Sequence, residues 1–307
     1  MLKLHPISNT LVVIAGPTAS GKTNLSVAIA KHFNSEIISA DSRQFYREIP
    51  VGTAAPSLDL QKKIKHHFIG NLSVIDEYNA SKYEQDVLEL LKQSFQKRPV
   101  MMLVGGSGLY IDAVCNGIDE LPDSNVKNRE YVHELFEEKG LNGLRSELKK
   151  IDPEYFTVVD INNPVRLMRA IEVCMQTGKK YSELRLNIKK QRDFKIIKIA
   201  LEVPRAVLIQ RINQRTDDMI ASGWIDEAKS VLQFKHLNPL NTVGYKELFK
   251  FIEGEWTLEE AVEKIKTNTR RYAKRQMTWF KKDNDYKWFS PDDEVGIIQF
   301  INEKLCF

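Results

Sequence analysis

The 307-residue sequence predicts an α/β fold, a parallel sheet flanked by helices. Three observations carry that reading. The apolar run Leu11-Val12-Val13-Ile14-Ala15 has the length and β-branching of a buried strand. It leads directly into Gly16-Pro17-Thr18-Ala19-Ser20-Gly21-Lys22-Thr23, a glycine, four residues, then Gly-Lys-Thr. A second apolar run at 100–104 also ends in glycines, Gly105-Gly106-Ser107-Gly108. Strands separated by segments of helical spacing imply a parallel sheet with right-handed crossovers, and the glycine loop makes the arrangement P-loop NTPase-like.

After the first loop, residues 24–32 carry Leu25, Ala28 and Ile29 at helical spacing. Strand, glycine loop and helix form the context in which backbone N–H groups and a helix N-terminus bind phosphate oxygens. Gly16, Thr18, Ala19, Ser20, Gly21, Lys22 and Thr23 are therefore expected to hold a polyphosphate. Lys22 supplies a mobile positive charge, and the Thr23 hydroxyl is the expected magnesium ligand. The loop does not specify the reaction.

The next strand is expected at 36–40, ending at Asp41 in Asp41-Ser42-Arg43-Gln44-Phe45-Tyr46. Strand C-termini of a parallel sheet line one edge, so Asp41 should face the same ligand, to accept a proton or help place magnesium. A cap for a following helix is the competing reading. A helix is expected at 81–97, opened by a capping box from Ser81 to Glu84 and stopped by Pro99. Its Tyr83, Val87, Leu90 and Leu91 share one face. The strand at 100–104 lacks the terminal acid that directs magnesium in nucleotide hydrolases.

Residues 115–190 are rich in charge and helix formers, and no strand is expected there. Asn163-Pro164 opens a helix and Gly178 closes it. The expected division is a core of 1–114 and 191–307 with a helical insertion at 115–190. An alternating strand at 195–202 resumes the core, with Ile197, Ile199 and Leu201 on one side. From Pro204 the chain is expected to be helical to its end, broken near Ser222-Gly223, Asn238-Pro239 and Glu253-Gly254. Thr257 and Glu260 cap the last long helix.

With 42% hydrophobic and 28% charged residues, the composition is that of a soluble globular protein. No apolar run has membrane-spanning length. Cys115, Cys174 and Cys306 make neither a zinc pattern nor a disulfide framework, which points to a reducing cytoplasm. The net charge of +4 is unevenly spread. Residues 264–282 hold Lys264, Lys266, Arg270, Arg271, Lys274, Arg275, Lys281 and Lys282 with no acid. Charge alone leaves two readings open, a polyanionic partner or a solvated helix face. Arg211 and Arg215, four apart, suit a pyrophosphate leaving group, or salt bridges to Asp217 and Asp218. Arg166 and Arg169 can pair with Glu172 instead of a ligand. Tyr272, Trp279 and Phe280 fit base stacking or plain core packing.

These segments together resemble the tRNA dimethylallyltransferases, the isopentenyltransferases that act on tRNA. The stretches that match are 16–23, 41–46, Val-Gly-Thr-Ala-Ala-Pro at 51–56, His66-His67-Phe68, Gly-Gly-Ser-Gly-Leu-Tyr at 105–110 and 163–173. Ala221-Ser222-Gly223-Trp224, Val243-Gly244-Tyr245-Lys246 and 273–280 continue the series, in an order and spacing that are jointly specific. The resemblance implies transfer of a dimethylallyl group from dimethylallyl diphosphate to the exocyclic amine of an adenosine. That adenosine lies 3′ of the anticodon in tRNAs that read codons beginning with U. The glycine loop would hold a prenyl diphosphate with Mg2+ on Thr23, helped by Arg215 and, more weakly, Arg211. Asp41, Thr23 and Arg215 would be catalytic, Asp41 as the base for an extruded adenine.

By the same resemblance the anticodon stem-loop would be held by Asp41, Ser42, Arg43 and Gln44, and by Val165, Arg166, Leu167, Met168 and Arg169. Asn241, Thr242, Val243, Gly244, Tyr245 and Lys246, and Lys274, Arg275, Gln276, Trp279 and Lys281, complete that surface. Ser107 and Arg129 would support the reacting nucleotide. Family members usually have Thr where this chain has Ser107, which keeps the hydroxyl. The sequence lacks the zinc-finger region of many eukaryotic members, which favours a bacterial-type enzyme, expected as a monomer without a membrane partner. Three rivals stay open: a metabolite kinase, an RNA-binding switch that uses nucleotide as a signal, and prenyl transfer to free adenine nucleotides.

Overall fold

The computed structural model describes residues 8–123, 125–186 and 188–305, so Cys306 lies outside the described residues. The chain divides into two compact units, one of Met1–Cys115 with Gln191–Phe307 and one of Asn116–Lys190.

The first unit is built on a six-stranded sheet: β1 (Thr10–Ala15), β2 (Ile37–Ser39), β3 (His66–His67), β4 (Val100–Gly105), β5 (Lys195–Leu201) and β6 (Lys287–Phe289). Their order is β3-β2-β4-β1-β5-β6 and every pairing is parallel. Ala15 stands opposite Gly105 on one side and Ala200 on the other, so these strands end level with one another. Loops leaving β1, β2 and β4 therefore emerge along one edge, where a doubly wound sheet binds ligands.

Both faces are covered, which explains why the strands read as continuous apolar runs. On one face Leu11, Val13, Ile38, Met101 and Leu103 pack with Val87 and Leu91 of α3 (Ala80–Ser94) and Ile111 of α4 (Gly108–Asn116). Ile265 and Phe280 of α12 (Leu258–Phe280) belong to that core as well. On the other face Val12, Ile14, Met102, Ile197 and Ile199 pack with Leu25 and Ile29 of α1 (Lys22–His32). Ile297 and Ile301 of α13 (Glu294–Leu305) close that side. Each such side chain contributes about 1.5–3 kcal/mol by leaving water. The remaining helices of this unit are α2 (Leu58–Lys63), α9 (Arg205–Ala221), α10 (Trp224–Ser230) and α11 (Tyr245–Ile252).

The second unit holds α5 (Val126–Ile151), α6 (Pro153–Val158), α7 (Pro164–Thr177) and α8 (Tyr181–Leu184). Its own core is Val132, Leu135, Leu144, Leu148, Leu167, Ile171 and their neighbours. Gly140, at φ 58 and ψ −156, interrupts α5. Asn163 caps α7, Pro164 opens it and Gly178, left-handed at φ 67, ends it.

Three expectations change, and one strand was not expected. The cap of α3 is Asn79, whose side chain accepts from the Ser81 and Lys82 N–H groups, and not Ser81. Glu84, which a capping box would turn back, is buried in an ion pair with Arg192 at 2.7 Å. The segment after Pro204 is not helical throughout, because β6 adds a parallel strand with Ala200 opposite Trp288. The edge strand β3 also escaped the pattern reading, since two or three residues carry too little periodicity. Finally, β5 is buried on both sides from Ile197 onward, Lys198 included. The Lys198 ammonium pairs with Asp283 at 2.7 Å.

Candidate active site

The loop after β1 is shaped by its small residues. A Cβ on Gly16 would stand 3.0 Å from the Ser20 hydroxyl and 3.3 Å from Leu201. Gly21, left-handed at φ 95, caps α1, and Ala19 also takes a positive φ of 62. The first turn of α1 holds no acid, so no side chain there offsets the positive end of the helix. Lys22 keeps some exposed surface along its stem, but its ammonium turns inward and donates to the Gly16 carbonyl at 2.8 Å and the Pro17 carbonyl at 2.7 Å. Burial pulls its pKa down to about 7. Asp41 opposes that shift, and Arg215 adds to it.

Arg211 and Arg215, one turn apart on α9, line a recess together with residues 19–24 of the loop. Burial lowers Arg215 from its usual range, and Asp41 offsets part of that. The acids proposed as rivals are engaged elsewhere. Asp217 pairs with Lys266 at 2.8 Å, and Asp218 accepts from Gln214 at 2.9 Å. Three cations thus gather where the glycine loop meets the N-terminus of α1, an arrangement that suits an anion by charge.

Asp41 follows β2 at the same edge. Ala40 donates to the Val104 carbonyl at 2.7 Å, and its own carbonyl accepts from Ser107 N at 3.1 Å. A Cβ on Gly105 would lie 2.1 Å from the Ala40 oxygen, so the two loops can approach only over a glycine. Asp41 caps a turn, and no helix, by accepting from Arg43 N at 3.1 Å. Its carboxylate lines a pocket with Lys22 and Thr23. It also lines a larger cleft with Thr18, Arg43, Gln44, Arg215, Thr242, Val243 and Tyr272.

Of the other residues expected in the first unit, Gln44, Thr242, Val243 and Gln276 line this cleft, whereas Lys274 and Lys281 line a separate pocket. Ser107 accepts from Ser42 N at 3.0 Å and donates to the Ser42 hydroxyl at 3.2 Å. Gln44 donates to the Thr53 and Ala54 carbonyls at 3.3 Å and accepts from Ser39 at 3.1 Å. Gln276 is buried and bridges the two glycine loops. It accepts from Thr18 N at 2.9 Å and donates to the Gly106 carbonyl at 2.8 Å. Trp279, 39% exposed, donates to Asp112 at 2.8 Å, and Lys281 pairs with Glu202 at 3.1 Å. Lys274, Arg275, Asn241 and Lys246 are exposed, and the Arg275 guanidinium lies 5.7 Å from the Tyr272 ring. Tyr245 is fully buried, so its side chain is core; Gly244 before it sits at φ 101.

In the second unit Val165, Arg166 and Arg129 are exposed, and Met168 is half-buried. Leu167 is fully buried in that unit's core. Arg169 pairs with Glu172 at 3.3 Å and donates to the Pro122 carbonyl at 2.5 Å.

The motif reading did not single out some residues that line the cleft, namely Thr216, Met219 and Thr269. They share helices with Arg211, Arg215 and the basic run, but as uncharged side chains they carry no sign of a site themselves. Among the described residues, no group of three or more His, Cys, Asp or Glu side chains is placed to hold a metal, and no helix is long and apolar enough to cross a membrane.

A family model described as IPP transferase matches residues 44–283. The chain is 48% identical over 292 residues to tRNA dimethylallyltransferase 1 of Bacteroides thetaiotaomicron, covering 95% of each. It superposes with a TM-score of 0.70 and 33% identity on the full-length tRNA isopentenylpyrophosphate transferase of Bacillus halodurans, over 97% of each chain. A eukaryotic dimethylallyltransferase acting on tRNA gives a TM-score of 0.77 at 26% identity, over 97% of this chain and 77% of that one.

Proposed function

The chain belongs to the IPP transferase family of tRNA dimethylallyltransferases, and on that premise we propose that the cleft beside Asp41 is where the prenyl group changes hands. The enzyme transfers the dimethylallyl group of dimethylallyl diphosphate to an adenosine of tRNA. The finer reading is that the acceptor is the exocyclic amine of the adenosine 3′ of the anticodon, in tRNAs reading codons that begin with U. One observation supports it above the rest. Lys22, Arg211 and Arg215 gather at the glycine loop, and the Asp41 carboxylate lines both the pocket it shares with Lys22 and Thr23 and the larger cleft.

In the step we propose, the carbon–oxygen bond of the allylic ester breaks and its electron pair leaves with diphosphate. Lys22 and Arg215, with Arg211 farther along the same helix face, stabilise that growing charge. The adenine amine forms the new bond to the allylic carbon, and its proton passes to an Asp41 oxygen. The amine's lone pair is delocalised into the ring, so a hydrogen bond to a carboxylate raises its reactivity as the bond forms. The adenine must leave the anticodon stack to reach this point. The Thr23 hydroxyl, in the pocket it shares with Asp41, is the hard oxygen donor that would hold Mg2+. When bound, the ion offsets diphosphate charge.

For tRNA we propose contacts on the first unit from Ser42, Arg43, Gln44, Ser107, Asn241, Thr242, Val243, Lys246 and the exposed Lys274 and Arg275, and on the second unit from Arg129, Val165 and Arg166. We place the enzyme in the cytoplasm as a monomer. The test is incubation with dimethylallyl diphosphate, magnesium and unmodified tRNA, followed by nucleoside mass analysis. The expected product is adenosine carrying one added five-carbon unit. ATP turnover without tRNA, or free AMP as the better acceptor, overturns the reading. In a single-turnover assay Asp41→Ala should lower the rate by ~10²-fold or more with tRNA affinity nearly intact. Near-normal turnover would remove Asp41 as the base.

A further inference from the structure

Glu227, on α10, makes an unusual set of contacts for a residue outside every motif. One carboxylate oxygen accepts from Val51 N at 2.7 Å and the other from Gly52 N at 2.8 Å. The second oxygen also accepts from the Tyr245 hydroxyl. A carboxylate shared between two consecutive peptide N–H groups makes strong, directional, charge-assisted bonds. Burial and the Glu227 charge both push the Tyr245 phenol upward, so it stays protonated as the donor.

The segments gathered by this carboxylate are two separate stretches of cleft wall. Gly52, Thr53 and Ala54 line the cleft from one, and Thr242 and Val243, just before Tyr245, from the other. The first loop needs external support, because Ala54 takes a left-handed φ of 45. Beyond that loop the chain of contacts continues inward. Gln44 holds the Thr53 and Ala54 carbonyls, is itself held by Ser39, and stands three residues from Asp41.

The junction is packed without slack. A Cβ on Gly52 would lie 2.1 Å from the Trp224 indole nitrogen and 2.2 Å from the Tyr245 oxygen. A Cβ on Gly244 would lie 2.0 Å from the Trp224 ring. Glycine at both positions is what lets the indole fill the space beneath the two segments.

We infer that Glu227 is a positioning residue for the transfer, tying the 51–54 loop to the 241–245 segment so that the acceptor adenosine is held in register with Asp41. It touches neither substrate. The inference rests on the reading of the cleft as the acceptor site. Its contacts are with the acceptor side of the cleft and not with the glycine loop, so its loss should slow the chemical step and spare diphosphate binding.

The experiment uses the full chain with unmodified tRNA and dimethylallyl diphosphate, comparing wild type, Glu227→Gln, Tyr245→Phe and the double variant. Thermal unfolding fixes the folded fraction of each. Glu227→Gln should lower the single-turnover rate at saturating tRNA by ~10-fold or more, the scale at which a displaced group costs rate. The Kd for dimethylallyl diphosphate should stay within about twofold, a split that general loss of structure would not give. Tyr245→Phe should give a smaller loss, and the double variant should be no slower than Glu227→Gln, since both act through one junction. A folded Glu227→Gln variant at wild-type rate overturns the inference, as does an equal loss of rate and diphosphate affinity. If Glu227→Gln does not fold, Tyr245→Phe decides, and a wild-type rate there overturns it. A wild type that makes no prenylated tRNA sinks the reading of the cleft and the inference with it. An active wild type beside an indifferent Glu227→Gln sinks the inference alone.

Discussion

The surroundings of Lys22 decide its chemistry. Its ammonium faces two carbonyls of its own loop and one carboxylate, with Arg215 nearby, and its pKa falls from the ordinary 10.5 to about 7. Between about pH 7 and 10.5 the unfolded chain therefore binds a proton that the folded chain does not. This group's contribution to folding is least favourable below about pH 7 and improves as pH rises through that window. A diphosphate beside the ammonium shifts the balance the other way, restoring the charge and raising the pKa. Binding of dimethylallyl diphosphate at pH 8 should then take up protons, and affinity should weaken as pH climbs above 7. Calorimetry at pH 8 in buffers of different ionisation enthalpy reads the uptake directly. An observed heat that does not vary with the buffer would show that Lys22 is already charged. The Lys22→Arg variant, charged throughout, should bind without the uptake.

At the level of elements, α12 combines two kinds of side chain on one helix. Gln276 turns inward and joins the loop after β1 to the loop after β4, whereas Lys274 and Arg275 are exposed. Substituting the two cations together with alanine should weaken tRNA binding and make log K against log salt shallower by about 1–2, leaving the unfolding temperature nearly unchanged. Gln276→Ala should do the reverse. It strands the Thr18 N–H and the Gly106 carbonyl, costing about 1–3 kcal/mol of stability, and it should loosen diphosphate binding with no change in salt slope. Salt-dependent binding isotherms and thermal unfolding of both variants check this, and an unchanged slope for the double alanine variant would move the RNA surface off this helix. The same helix shows what the sequence makes legible. Its start is written locally, as Thr257 and Glu260 cap it reciprocally, and α7 likewise announces both ends through Asn163, Pro164 and Gly178. The glycine loop and Asp41 were legible because strand, loop and helix follow one another in the chain. Glu227 was not, since its partners Val51 and Gly52 lie 176 and 175 residues away. The strands β3 and β6 were hidden by shortness, and the true cap of α3 by a second plausible cap residue two positions later.

On the scale of the whole molecule, the helical unit behaves in sequence as an excursion from the core. The Lys190 N–H donates to the Asn116 carbonyl at 2.7 Å, so the chain leaves and re-enters at neighbouring points. The unit also buries its own apolar residues, and Asp152 secures it from within by capping α6 at Tyr155 N and accepting from Ser182. A short glycine–serine linker can therefore span the gap left by residues 117–189 without stretching the sheet. The shortened chain should unfold in one cooperative transition, because β1, β4 and β5 and both their faces are untouched. It should bind dimethylallyl diphosphate within about threefold of the full chain, since Lys22, Arg211 and Arg215 all lie in the retained unit. What it should lose is tRNA. Removing the exposed Arg129 and Arg166 takes away two candidate phosphate contacts, which lowers the salt slope by about 1–2 and affinity by roughly tenfold or more. Isothermal titration with dimethylallyl diphosphate and filter binding with unmodified tRNA at several salt concentrations measure the retained and the lost affinity separately. Full tRNA affinity in the shortened chain would mean that the excursion serves something other than RNA, and the surface around the cleft would then have to account for all of the recognition.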